Sequence, residues 1–291
     1  MKYSLRKWLA ATLTSLLLLN VARANDQDPV QKSMTLLRKT TLALLQDGNS
    51  RFVSGDLKHP NTGLGHRSVA AIEGQEPFAT VLSCSDSRVP VELIFDRGVG
   101  EIFTVRVAGN VADTDEIATI EYGVGHLHTP VVVVMGHTRC GAVTAVVKGV
   151  ELDGLLPQLV DNIKPAAETA RQQGGEEPAI IANAIKANVW QSISDVLRRS
   201  AIVRRELQAG TVSVVGAVYN IEAGTVEWLG EHPDQKSIVN AYKPEIQAVV
   251  AEPVNVVSKG PSPEIKGPPK ASAAAAKAAP AESAAHATHG H

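Results

Sequence analysis

Two short stretches carry the side chains best suited to chemistry: Cys84-Ser85-Asp86-Ser87-Arg88 and His137-Thr138-Arg139-Cys140. Cys84, His137 and Cys140 offer two sulfurs and one imidazole, a donor set that suits Zn²⁺. Three protein donors leave one tetrahedral position open, which is the catalytic arrangement rather than the structural one. The chain has only 2 cysteines, so no further thiolate is available to close the site. Asp86 and Arg88, two residues apart, are expected to face the same side. A guanidinium holds a carboxylate in fixed orientation through two hydrogen bonds. At this level two plainer readings stay open. The cysteines could form one disulfide, as they would in many exported proteins, and the ion pair could be a surface contact of little worth.

The surrounding pattern shows what must position these residues. Pro77 to Ser83 reads as a buried strand ending at Cys84, and Val131 to Met135 is a continuous apolar run ending at Gly136-His137. Such runs mark strands covered on both faces, as in parallel sheets. A third strand is predicted over Glu101 to Ala108, and two more over Thr211 to Tyr219 and Thr225 to Leu229, around a hairpin signal at Glu222-Ala223-Gly224. Between them lie helical patterns: Val89 to Phe95, Asp113 to His126, Gly141 to Lys148, Leu155 to Gln173 and Pro178 to Leu207. A helical arm is predicted from Asp28-Pro29 to a stop at Asp47-Gly48, followed by a polar loop from Asp56 to His66. His59 and His66 fall in that loop and receive no role. Strands alternating with helices define an α/β fold with a mainly parallel central sheet flanked by helices. In such sheets functional groups gather at the carboxyl ends of the strands, where Cys84 and His137 both sit.

The 291 residues carry a formal charge of −2 and 4% aromatics, with no basic stripe, which argues against a nucleic-acid surface. Residues 1–24 read as a cleaved signal peptide: a basic start (Lys2, Arg6, Lys7), an apolar run too short for a stable membrane anchor, and Ala22-Arg23-Ala24 as cleavage site. Its removal takes the formal charge from −2 to −6. A periplasmic destination is expected. A catalytic domain is predicted over 25–235 and a C-terminal extension over 236–291. From about Ser258 that extension is rich in Ala, Pro and Lys, predicted to be disordered, and ends with His286, His289 and His291.

The motifs Cys84-Ser85-Asp86-Ser87-Arg88 and Gly136-His137-Thr138-Arg139-Cys140-Gly141 resemble those of the β-class carbonic anhydrases, and the likeness extends from about Leu44 to Leu229. The resemblance implies one Zn²⁺ per chain on Cys84, His137 and Cys140, with Asp86 and Arg88 as a catalytic dyad. The reaction implied is reversible hydration of CO₂ to bicarbonate and a proton, by a zinc-activated hydroxide that Asp86 orients. Some members of the family instead use the counterpart of Asp86 as a fourth ligand in a closed state. Gln75 matches a substrate-contacting glutamine and Tyr122 a tyrosine proposed to help proton transfer. Both are expected to act across a dimer interface, in a homodimer or tetramer. Arg106 and Val89 match positions lining an inhibitory bicarbonate pocket of another subgroup, but Val81 stands where that subgroup carries a tryptophan. Alternatives on the same residues are hydrolysis of CS₂ or COS, non-catalytic zinc binding that uses the tail histidines, and a thiol nucleophile.

Overall fold

The computed structural model describes residues 29–242. The expected signal peptide and the tail from 258 lie outside the described residues. Five strands form one sheet in the order β2-β1-β3-β4-β5: β1 (Ala79–Ser83), β2 (Ile102–Arg106), β3 (Val131–His137), β4 (Ser213–Tyr219) and β5 (Val226–Gly230). The first four run parallel. β5 returns antiparallel to β4 through the expected hairpin. Every residue of β1 and β3 is buried, as their unbroken apolar sequence requires of strands covered on both faces.

Alternate side chains of these strands feed two apolar layers. Leu82, Val132, Val134 and Val214 face a layer shared with α4 (Thr114–Gly125), α8 (Glu177–Arg199) and α9 (Ala201–Ala209). Val81, Val131, Val133, Met135 and Val215 face α1 (Pro29–Ser54) and α3 (Val91–Ile94). Helices α5 (Gly141–Lys148), α6 (Leu156–Asp161) and α7 (Lys164–Gln173) complete the first layer. From the two central strands the chain departs in opposite directions: β1 leads to β2 on one side, β3 to β4 on the other. That switch point is where open α/β sheets build their sites. Among the described residues no helix is long and apolar enough to cross a membrane.

Three boundaries differ from expectation. First, α1 does not stop at Asp47-Gly48 but continues to Ser54. Gly48 is a close-approach residue: a Cβ there would lie 1.8 Å from the Phe95 carbonyl oxygen. The next residue, Asn49, is buried and donates to Ile94 O (3.2 Å) and Gly224 O (2.9 Å), while its Oδ1 accepts from the Val226 amide (2.9 Å). Second, the predicted loop up to His66 contains the start of a helix, α2 (Leu64–Glu73), none of whose residues is buried; its first residues follow Pro60, Asn61 and Gly63, which read as a turn. Third, α10 (Gln235–Ala241) spans the expected boundary at 235/236, and Ile238 and Val239 on it are buried. Tyr242 lies under the Arg204 guanidinium, 4.4 Å from ring centroid to cation.

Candidate metal centre

Cys84 follows β1 directly, and His137 closes β3, the strand hydrogen-bonded to it. Cys140 sits at the N-cap of α5. The turn that brings it back beside His137 passes through Arg139, whose φ of 58° lies in the left-handed region that non-glycine residues seldom occupy. Thr138 pins this turn to β4: its amide donates to Tyr219 O at 2.9 Å and its hydroxyl oxygen accepts from the Ile221 amide at 3.1 Å. The two sulfurs and a ring nitrogen of His137 all lie within 4.8 Å of one another, and all three residues are buried. Both cysteines are free, so the disulfide reading does not describe this structure.

The donors are prepared for a cation. His137 Nδ1 lies 2.9 Å from Thr138 O, a contact that makes Nδ1 the protonated nitrogen and leaves Nε2 as a bare lone pair. Nε2 is buried with no hydrogen-bond partner. A ligating histidine ordinarily has its other nitrogen fixed in this way. The Cys84 thiol is pulled down to about 4, chiefly by a hydrogen bond from Cys140, with further help from the amides of Gly109 and Asp86, against the opposing effect of burial. Cys140, donating that proton and buried itself, is pushed up, although the amides of Val143 and Ala142 oppose the rise. Backbone amides of Gly109 and Asp86 donate to Cys84 Sγ at 3.3 and 3.4 Å, and Cys140 stands at the N-terminus of α5. Zinc binding here requires both thiols to lose their protons, and the Cys84 sulfur already accepts from two backbone amides. A buried two-thiolate, one-imidazole set fits zinc.

Asp86 and Arg88 pair as their spacing predicts. Arg88 Nε and Nη2 donate to Asp86 Oδ1 (2.9 Å) and Oδ2 (2.7 Å), and the Arg88 amide adds a third bond to Oδ1 (2.9 Å). These bonds hold the Asp86 carboxyl well below the usual carboxylate range. Oδ2 stands 4.0 Å from His137 Nε2, so the carboxylate edges the cluster while remaining in the arginine's fork.

Gln75 and Tyr122 are not brought to this centre by their own chain. Gln75 precedes β1 whereas Cys84 follows it, a strand length of about 16 Å. It lines a groove of about 370 Å³ with His66, Val99 and Glu101. Tyr122, half exposed, stacks on Phe103 (5.8 Å) and His126 (5.2 Å). Phe103 pairs in register with Thr80 near the start of β1, so Tyr122 too belongs to the amino end of the sheet.

Several residues around the centre were not assigned these places from sequence. Arg106 donates from Nε to Cys84 O (3.2 Å) and from Nη2 to Asp86 O (2.7 Å), clamping the loop that carries both side chains. Gly109, at φ 74°, supplies an amide to Cys84, and a Cβ on it would lie 2.7 Å from Ile163 Cδ1. Behind it, Asn188 and Ser192 on α8 are fully buried polar groups. Their signal in the sequence was a polar pair at i and i+4 within a helix face otherwise made of Ile185, Val189, Ile193 and Val196.

Comparison with known proteins agrees with this architecture. The family model described as carbonic anhydrase matches residues 79–226, just over half of the chain. Carbonic anhydrase 2 of Mycobacterium tuberculosis is 35% identical over 185 residues, covering 62% of this chain and 87% of that protein. A carbonic anhydrase of Pseudomonas aeruginosa is 33% identical over 195 residues, 63% of this chain and 87% of the relative. Among solved structures, the β-carbonic anhydrase CafA of Aspergillus fumigatus superposes with a TM-score of 0.56 at 27% identity, covering 62% of this chain and 86% of that one. One of the two tetrameric β-carbonic anhydrases of Sordaria macrospora gives 0.52 at 28% identity, over 57% and 87%. The chain belongs to the carbonic anhydrase family, in its β class.

Proposed function

We propose that the chain catalyses reversible hydration of carbon dioxide to bicarbonate and a proton, using one zinc ion held by Cys84, His137 and Cys140. The observation that carries this reading is the buried cluster of three converging donors, with His137 Nε2 bare and the Asp86 carboxylate at its edge. Bound there, zinc would supply the Lewis acidity that makes water nucleophilic near neutral pH.

The chain's own residues do the rest. Asp86 accepts a hydrogen bond from the attacking water and so directs the oxygen lone pair at the carbon of CO₂. Because Arg88 holds its carboxyl low, Asp86 is a weak base: an efficient proton acceptor at neutral pH has a pKa near 7. Asp86 therefore orients the water rather than storing its proton, which leaves to buffer. The C–O bond forms from the water oxygen, one C=O bond opens, and bicarbonate departs as the next water enters. Arg88 fixes the carboxylate plane, and Arg106 fixes the loop beneath it.

In this reading the protein works as a homo-oligomer, with Gln75 and Tyr122 of one chain serving the centre of another. What supports this is their place at the far end of the sheet from their own metal centre, together with the tetrameric relatives from Sordaria macrospora. Export to the periplasm rests on the character of residues 1–24. The test is stopped-flow CO₂ hydration with zinc assayed on the same sample. Fast hydration with stoichiometric zinc supports the proposal. Full zinc with no hydration at neutral or alkaline pH overturns it, and activity on CS₂ or COS in that sample would redirect it to those substrates.

A further inference from the structure

Asn188 has no neighbour in the metal cluster, yet it stands directly behind it. It lies in the middle of α8 and is 0% exposed, among Ile185, Val189 and Ile193. Its Nδ2 donates to Gly109 O at 2.7 Å. One turn on, Ser192 Oγ lies 2.9 Å from both Asn110 O and Asn188 O. These bonds hold the short 3₁₀ turn Ala108–Asn110 by two consecutive carbonyls. The amide of the same Gly109 donates in the other direction, to Cys84 Sγ at 3.3 Å. The N–H and the C=O of Gly109 belong to two successive rigid peptide groups joined at its Cα, so anchoring Gly109 O and Asn110 O fixes one side of the turn and restrains the adjoining peptide group whose N–H meets the sulfur.

The backbone of α8 lies close enough for this because of a glycine beside the site. A Cβ on Gly136, the residue before His137, would stand 2.9 Å from Val189 Cγ2. The arrangement has a cost. Asn188 Oδ1 is buried without a hydrogen-bond partner, and an unsatisfied buried polar atom costs stability. An apolar residue at 188 would fill the core without that cost, but would not hold the turn.

We propose that Asn188, backed by Ser192, is a positioning residue for the metal ligand Cys84: it anchors the Gly109 turn so that the Gly109 amide aims at the Cys84 sulfur. The proposal rests on the reading of Cys84 as a zinc ligand. A hydrogen bond to a thiolate ligand orients it and tunes its donor strength, and loss of such an outer partner typically costs about 10- to 100-fold in metal affinity.

The test uses the full-length zinc-loaded protein and its Asn188→Ala variant. Three quantities are read: zinc affinity by competition with a chelator, melting temperature of the zinc-free protein, and the sulfur-to-metal charge-transfer band of the cobalt-substituted form. The expected result is a zinc affinity about 10- to 100-fold lower, with a shifted charge-transfer band. Ile193→Val, a core change on the same helix, should lower the melting temperature and leave affinity and band unchanged. If Asn188→Ala does not fold, Ser192→Ala carries the same test, since it releases Asn110 O. Lower melting temperature with affinity and band unchanged overturns the proposal and makes Asn188 a core residue only. A wild-type protein that holds no zinc would instead overturn the reading of the centre itself, and the proposal with it.

Discussion

The two ends of the parallel sheet are built to different standards. At the carboxyl end every functional side chain is held by its own chain. Asp86 sits in a bidentate fork, His137 has its tautomer fixed by Thr138 O, and Cys84 is reached from both sides by backbone amides. At the amino end, α2 buries nothing and leaves Leu64, Val69 and Ile72 exposed, with Ile72 at 86%. Gln75 follows α2 immediately, and Tyr122 is half exposed. The difference indicates which chemistry a single chain can prepare. Charge-bearing and metal-binding groups need a rigid cradle, because misplacement of about 1 Å is costly in catalysis. Groups that a second chain would position can wait on a surface that is finished only by association, where an exposed apolar patch is the usual mark.

The largest effect should come from the cradle itself. Cys84→Ser replaces a thiolate by a neutral hydroxyl, a poor zinc ligand. We expect the protein to lose zinc and all hydration activity, as read by metal assay and stopped flow, while α1 and the sheet remain folded by circular dichroism. Retained zinc at wild-type affinity would break the account of the carboxyl end. Next, Asp86→Asn keeps the size and removes the charge. Hydration should fall about 100- to 1,000-fold, the scale of a lost preorganised hydrogen-bonding group, with zinc content unchanged. Loss of zinc in parallel would make Asp86 structural.

Ile72→Asp places a charge on the uncovered face of α2. In an isolated chain such a surface change should be nearly neutral for stability. We expect sedimentation to show a smaller species that keeps its zinc and loses activity, which would sharpen the contrast between the two ends. An unchanged assembly would show that α2 is not part of the interface. Tyr122→Phe should have a smaller effect, lowering turnover by a few-fold with zinc and assembly intact, measured in weakly buffered solution where proton release limits the rate.

The amino end does hold one rigid polar contact, Asp96. Burial opposes its ionisation. Even so, the carboxyl is held below its ordinary value by Arg51 Nε at 2.6 Å and by the amides of His59 and Lys58. A carboxyl whose folded pKa is depressed contributes stability that is fully present above its unfolded value, about 3.9, and is lost as pH falls through the lower folded value. Asp96→Asn should therefore lower the melting temperature at pH 7 and narrow the gap to wild type below about pH 3. A gap that does not change with pH would refute the charge argument.

Much of this was legible in the sequence because the carboxyl-end residues sit at the ends of strongly apolar runs. Five valine-rich residues before Gly136-His137 could only be a covered strand, and Asp86 and Arg88 meet through local geometry alone. The unread parts depend on distant packing. Gly48 looks like a helix stop until Phe95 is placed against it. Arg106 looks like a strand-edge cation until the carbonyls of Cys84 and Asp86 fold back onto it. Asn188 reads as an ordinary helix residue because its partner, Gly109, is 79 positions away. Helix α2 escaped notice for another reason: its first residues follow Pro60, Asn61 and Gly63, which read as a turn.

The most direct test of the central claim is stopped-flow CO₂ hydration by the wild-type chain and Asp86→Asn side by side, with zinc measured on both samples. The account predicts one zinc per chain in each, fast hydration by the wild type, and a rate about 100- to 1,000-fold lower in the variant. Equal rates at equal zinc would contradict it, because the carboxylate held by Arg88 at the edge of the cluster would then have no part in the reaction.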